Sequence, residues 1–325
     1  MCTALSFNCA SHYFGRNLDV EGSYGETVAI TPQNYLFRFK KEEDMKKHYA
    51  IIGIAKMMEG YPLYFDGTNE TGLSMAALNF PGNAFYNPPK ENTDNITPFE
   101  IIPWILGKCA SVKDAIKLLE KINVTDISFS SDLPLTPLHW IVSDKNESIT
   151  VESVKDGVRI YDNPVGVLTN NPPFNIQLFN LNNYMKLSAN TPENSFSDKI
   201  NLQPYSRGMG AMGLPGDLSS ASRFVKAVFT KYNSVCEQTE AVSQFFHIMG
   251  SVCQQKGCVC LEKDVYEYTS YTTCCDTDKG LLYYTTYENG SISCVDMHAE
   301  NLMGDKVISY PVLRKPHIYM QNAER

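Results

Sequence analysis

At 325 residues, with 43% hydrophobic and 20% charged residues, the chain has the composition of a globular protein able to bury an extended core, which excludes the disordered and collagen-like classes. A formal net charge of −8 and a pI near 5.3 argue against nucleic acid or an anionic membrane as the main partner, and the most basic stretch, KKEEDMKK at 40–47, alternates in sign and reads as a solvated turn or helix face. No stretch approaches the ~20 apolar residues of a membrane helix, and the opening residues lack the charged and apolar regions of a signal peptide, so a cytoplasmic location is expected.

In chain order, Cys2 to Cys9 reads as a strand, Ala10-Ser11 as a two-residue turn and His12 to Asp19 as the returning strand. Further strand signals fall at Tyr35–Phe39, Tyr49–Ile54, Gly72–Asn79, Leu138–Ser143, Ser148–Ser153 and Val158–Tyr161. A helix is expected from Thr97, where Thr97 and Glu100 have capping-box spacing and Pro98 takes the first helical position. A second is expected from Ser111, with Asp114 in its first turn and an apolar face of Val112, Ala115, Ile116 and Leu119. Two more cover Ser220–Tyr232 and Thr239–Val252, and β character returns from Val265 to Val312 around a Glu288-Asn289-Gly290 turn. Strands, then helices, then strands predict mostly antiparallel sheets covered by helices.

Ten cysteines are present, seven of them after residue 235. Pairs such as Cys258-Val-Cys260 and Cys274-Cys275 lack the spacing of a structural zinc site, so reduced packing cysteines and no bound metal are expected. Cys2 is different, because a thiol directly behind the initiator methionine sits at an exposed chain end. Methionine is removed efficiently when the next residue is small, and removal of Met1 leaves one residue carrying both a thiol and a free α-amine. With unperturbed pKa values of about 7.7–8.0 for the amine and 8.5 for the thiol, the amine can act as base for its own side chain. A two-residue turn at Ala10-Ser11 pairs residues whose numbers sum to 21, so Cys2 is expected to face Asp19, and Arg16 to fall on the other face unless a bulge intervenes near Asn17-Leu18.

These residues carry a resemblance. MCTALSF and FGRNLD, followed in order by YPLYFDGTNETGLSMAALNFPG, TPLHWIVSD, GVLTNNPPF, MGLPGDLSSASRF and YYTTYENGSISCVDM, resemble the choloylglycine hydrolase family of N-terminal nucleophile amidases, which includes bile salt hydrolases and penicillin V acylases. The resemblance implies an α+β fold, a four-layer αββα sandwich with two mostly antiparallel sheets between helical layers, formed by a single domain over residues 1–325. It implies Cys2 as nucleophile, Arg16 beside the thiol, Asp19 on the amine, Asn79 and Asn170 as donors to the oxyanion, and Arg223 completing the set. By position it places Leu18, Met58, Phe65, Phe129 and Leu133 along an apolar trough. The implied reaction is hydrolysis of the amide of a glycine- or taurine-conjugated bile salt through a thioester, with no cofactor, in a homotetramer. Asn at position 79, where the penicillin-type members tend to carry Tyr, favours bile salts over penicillin V. Local arginines, Arg16, Arg223 and Arg207, would offset the repulsion between an acidic protein and an anionic substrate. A reading of a different class stays open: a non-catalytic, cysteine-rich metal- or redox-sensing protein.

Overall fold

The structure, a computed structural model, describes residues 1–322. Two large antiparallel sheets carry the fold. The first has seven strands and runs Val167–Leu168, β1 (Cys2–Cys9), β2 (Ser11–Val20), Val265–Asp276, Leu281–Thr286 and Ser293–Asp296, with Val259–Glu262 pairing onto Val265–Asp276. The second has eight strands and runs Gly157–Asp162, Ser148–Val154, Leu138–Ser143, Ser74–Asn79, Tyr61–Asn69, Ile51–Met58, Glu26–Thr31 and Ile308–Pro311. One short parallel pair, Asp94–Ile96 with Ile122–Val124, stands apart from both.

Five α-helices accompany them: α1 (Ile101–Lys108), α2 (Val112–Leu119), α3 (Phe174–Asn180), α4 (Ser220–Asn233) and α5 (Ala241–Gly250). Ile101, Trp104 and Ile105 of α1 and Val112, Ala115 and Leu119 of α2 pack with Met75, Ala77, Trp140 and Val142 of the second sheet. On the opposite side of the molecule, Phe224 of α4 and Phe245, Ile248 and Met249 of α5 join a core that continues through β1 and β2. Within that core Cys2, Ala4, Phe14 and Leu18 meet Ile52, Ile54, Ala76 and Leu78 of the second sheet. The layers are therefore helix, sheet, sheet, helix, because each sheet buries apolar side chains on both faces.

Local signals account for part of this. Ser111 caps α2, accepting from the Asp114 amide, as its spacing predicts. Around Thr97 only half of the capping box forms: the Glu100 carboxylate accepts from the Thr97 amide, while Thr97 Oγ1 has no partner. The helix then begins at Ile101, four residues later than expected, because 97–100 is spent on turns. Tyr35–Phe39 is not a strand; Phe37 makes a single bridge to Met45, and its ring is buried among Tyr35, Phe39, His48 and Tyr61. The aromatic run there serves packing. The expectation of ten reduced cysteines also changes, since Cys9 at the hairpin tip is joined to Cys236, 227 residues away, in a disulfide.

Candidate active site

The site is built on the β1–β2 hairpin. Its tip is one residue, Ala10, with φ of 60°, so Cys9 pairs with Ser11 and the ladder continues to Cys2 opposite Leu18. Paired numbers sum to 20, which corrects the expected pairing of Cys2 with Asp19. A change of one in register exchanges the faces of a strand. Arg16, opposite Ala4, shares the face of Cys2 with no bulge in β2, whereas Asp19 lies on the other face. The irregularity near this point belongs to the neighbouring strand, between Thr269 and Tyr271.

Arg16 reaches from the Cys2 face to the second sheet, where Nη1 donates to the carbonyls of Phe65 and Ala77; its Nη2 is buried without a partner. Burial opposes the Arg16 cation, but Cys2, Tyr271, Asp66 and Asp19 around it raise its pKa overall. Asp66 itself is pushed up to about 6 by burial, against the pull of Arg16 and of hydrogen bonds from Tyr271 and Thr273.

Asp19 approaches the start of the chain from the helical side. Thr269 Oγ1 donates to its Oδ1, and Oδ2 is buried without a hydrogen bond, 3.8 Å from Arg223 Nη1. Burial raises the Asp19 pKa, opposed chiefly by Arg223.

Arg223, fully buried on α4, joins the remaining groups. Nη1 donates to the Cys2 carbonyl at 2.6 Å and to Thr3 Oγ1 at 2.5 Å, Nη2 to Asn170 Oδ1 at 2.9 Å and Nε to the Leu218 carbonyl at 3.1 Å. Asn170 Oδ1 also accepts from the Cys2 backbone nitrogen at 2.8 Å, and Asn170 Nδ2 donates to the Asn79 carbonyl at 2.7 Å. The six residues Cys2, Arg16, Asp19, Asn79, Asn170 and Arg223 thus lie in one cluster, drawn from both sheets, the loop after Val167–Leu168 and α4.

Asn170 is held in turn by its surroundings. Ser220 Oγ accepts from its amide, and Gln177 Nε2 donates to its carbonyl while Gln177 Oε1 accepts from Thr169 Oγ1. Asn79 stands at the end of Ser74–Asn79, and among the described residues its side chain makes no hydrogen bond.

A cavity of about 330 Å³ opens in front of Cys2 and Arg16. Leu18, Phe65, Phe129 and Leu133 line it. Met58 does not: it shares the strand face of Lys56 but sits at the Glu59-Gly60 hairpin, two rungs beyond the Lys56–Leu63 pair that reaches the cavity. Arg207 lies in the exposed loop 204–208, also outside the lining. Residues that the strand patterns did not single out complete the wall. Tyr24 stacks on Phe65, Phe99 meets Phe129 edge-on, and Lys56 and Glu267 bring charge. Only Lys56, two residues before Met58 on an alternating strand, carried a sequence signal. Among the described residues no group of three or more His, Cys, Asp or Glu side chains could hold a metal ion, and no helix is long and apolar enough to cross a membrane.

Two antiparallel sheets between helical pairs, with a cysteine-bearing strand end opening into a cavity, define the N-terminal-nucleophile class of hydrolase fold. The chain belongs to the choloylglycine hydrolase family: the family model for linear amide C–N hydrolases, choloylglycine hydrolase family, matches residues 2–310, and the chain is accordingly a hydrolase. It is 56% identical over 324 residues, 99% of this chain and 100% of the other, to a bile salt hydrolase/transferase of Lactiplantibacillus plantarum. The crystal structure of a mutant conjugated bile acid hydrolase from Clostridium perfringens matches with a TM-score of 0.92 at 35% identity, covering 99% of this chain and 100% of that one. A penicillin V acylase from Agrobacterium tumefaciens shares the fold, with a TM-score of 0.74 at 21% identity over 98% of this chain and 94% of its own.

Proposed function

We propose that the chain, acting over residues 1–325 as one catalytic unit, hydrolyses the amide bond of glycine- or taurine-conjugated bile salts with Cys2 as nucleophile after removal of Met1. The observation that carries this reading is the convergence on Cys2: its backbone nitrogen already points at Asn170 Oδ1, its carbonyl is pinned by Arg223, and a guanidinium with a free N–H shares its face. In the chain described here that nitrogen belongs to a peptide bond. Excision of Met1 turns it into an α-amine near Asp19, whose Oδ2 faces Arg223 at 3.8 Å and has no hydrogen bond, an acceptor suited to an ammonium.

The steps follow from these positions. The α-amine takes the Cys2 thiol proton, and the thiolate attacks the amide carbonyl carbon, placing negative charge on its oxygen. The unoccupied Arg16 N–H and the free side-chain amide of Asn79 offer donors at this end of the cavity; one such donor is typically worth about 3–4 kcal/mol in the barrier. Asn170, which the resemblance implies as an oxyanion donor, takes a different part in this proposal, since its side chain is committed to Cys2, Arg223 and Asn79. It orients the amine. Collapse of the intermediate breaks the C–N bond, the α-ammonium protonates the departing glycine or taurine nitrogen, and a thioester remains. Water then attacks the thioester with the amine again as base, releasing free bile acid and the Cys2 thiol.

The apolar wall of Leu18, Phe65, Phe129 and Leu133 suits a flat sterol, and Arg16 and Lys56 place local positive charge in an acidic protein. Homotetramer formation belongs to the same proposal and is supported by apolar side chains exposed along one stretch: Phe179, Met185, Phe196, Tyr205 and Met212. A cytoplasmic location rests on the sequence pattern alone. Assay of glycocholate, taurocholate and penicillin V with the wild type and Cys2→Ser tests the reaction. Hydrolysis of the bile salts above penicillin V, with most activity lost in Cys2→Ser, is expected; full activity in the variant would defeat the scheme.

A further inference from the structure

The block TPLHWIVSD adds no residue to the cluster around Cys2, yet its histidine touches two of the segments that build that cluster. His139, on the strand Leu138–Ser143, is paired with Leu78 on one side and Glu152 on the other, and its side chain is fully buried. Its ring stacks on that of Phe80, with centroids 4.3 Å apart and an interplanar angle of 5°. Phe80 directly follows Asn79. His139 Nε2 lies 2.8 Å from the carbonyl oxygen of Thr169, which directly precedes Asn170.

A carbonyl can only accept, so Nε2 carries a proton and donates it to Thr169. Nδ1 faces Glu152 Oε1 at 3.5 Å, and the same oxygen accepts from the Phe174 amide at 2.8 Å. The cross-strand pair therefore holds both ends of the loop 169–173, His139 at Thr169 and Glu152 at Phe174, where α3 begins. Neither residue lines the cavity. A buried imidazole with both ring nitrogens engaged, outside the cavity wall, acts on the reaction only through what it holds. What it holds is the backbone on which Asn170 Oδ1 meets the Cys2 nitrogen at 2.8 Å and Asn170 Nδ2 meets the Asn79 carbonyl at 2.7 Å.

We propose that His139 is a positioning residue for the Cys2 reaction, holding Asn170 against the Cys2 nitrogen through the Thr169 carbonyl. The stack on Phe80 fixes the same imidazole relative to the strand that ends at Asn79, so one side chain sets the spacing between the two asparagines. Loss of the donor leaves a buried carbonyl unpaired and frees the loop to move. A displacement of about 1 Å in a group that orients the reacting amine costs roughly 10²-fold in rate. Substrate binding is untouched, because the imidazole is not part of the cavity wall. This role rests on the reaction proposed above for Cys2.

Steady-state kinetics of full-length His139→Leu and His139→Gln on glycocholate test it. The two replacements are similar in size and both lack the ring, but only glutamine keeps an N–H donor. His139→Leu should lower kcat at least tenfold with KM within threefold of wild type, and His139→Gln should hold kcat within threefold. In an Asn170→Ala background the Leu substitution should cost less than a further threefold, because the group it positions is gone. His139→Asn, whose amide is one methylene too short to reach the Thr169 carbonyl, should match His139→Leu and replaces it where the Leu chain does not fold. Wild-type kcat in either donor-lacking variant, an equal loss in the Leu and Gln variants, a full tenfold loss persisting in Asn170→Ala, or failure of both donor-lacking chains to fold would overturn the positioning role. A wild type that leaves glycocholate intact would overturn the proposed function and this role together, which separates the two failures.

Discussion

Arg223 makes four hydrogen bonds from a fully buried position and is the nearest cation to the Asp19 carboxylate. Replacing it with Met leaves that carboxylate buried and uncompensated, a loss of about 3–5 kcal/mol, to be measured by urea denaturation. Arg223→Lys should not restore activity, because a point ammonium cannot satisfy the Cys2, Thr3, Asn170 and Leu218 acceptors together. A second buried residue governs the acid limb of stability. His12 is enclosed by Ser6 Oγ and Thr277 Oγ1, each at 2.9 Å, and burial pushes its pKa from 6.5 to about 4. Its folded-state pKa is depressed, so the unfolded chain takes up a proton first as pH falls. Stability is complete above pH 6.5 and is lost as pH falls toward 4, with a limit of about 3 kcal/mol for this one group. The pH dependence of the urea midpoint between those values should flatten in His12→Gln.

The β1–β2 hairpin decides which side chains share a face with Cys2. Ala10 adopts left-handed backbone at its tip, where glycine avoids a cost of about 1–2 kcal/mol but loses more freedom on folding. Ala10→Gly should therefore raise stability by about 0.5–1 kcal/mol, read as a higher urea midpoint with unchanged slope. The same tip explains what the sequence left hidden. Alternation showed that the two strands exist, and the blocks around MCTALSF, FGRNLD, LNFPG, LTNNPP and LSSASRF pointed to all six clustered residues. The register depended on whether the tip held one residue or two, which neither Ala10 nor Ser11 announces. Met58 illustrates the opposite limit, because alternation gives the face of a residue correctly and says nothing of where along the strand a cavity ends. The Cys9–Cys236 pairing was illegible because nothing local links residues 227 apart.

At the scale of the whole molecule, the cavity lies between sheets that bury both faces, and its charge balance is local. In a protein of net charge −8, the cavity lining sets Arg16 and Lys56 against Asp19, Glu21 and Glu267. Outside it, Phe196 and Tyr205 are 81% and 80% exposed, more than an isolated chain would ordinarily leave in water for large aromatic rings. Light scattering coupled to size exclusion should give the mass of an assembly for the wild type and a lower mass for the double variant Phe196→Glu, Tyr205→Glu. The central claim, that Cys2 becomes a chain-terminal nucleophile carrying the acyl group, is tested most directly by mass spectrometry of the N-terminal peptide after acid-quenched turnover of glycocholate. The expected peptide begins at Cys2 and carries a cholyl thioester. A peptide that still begins at Met1, or an unacylated Cys2 throughout active turnover, would contradict it.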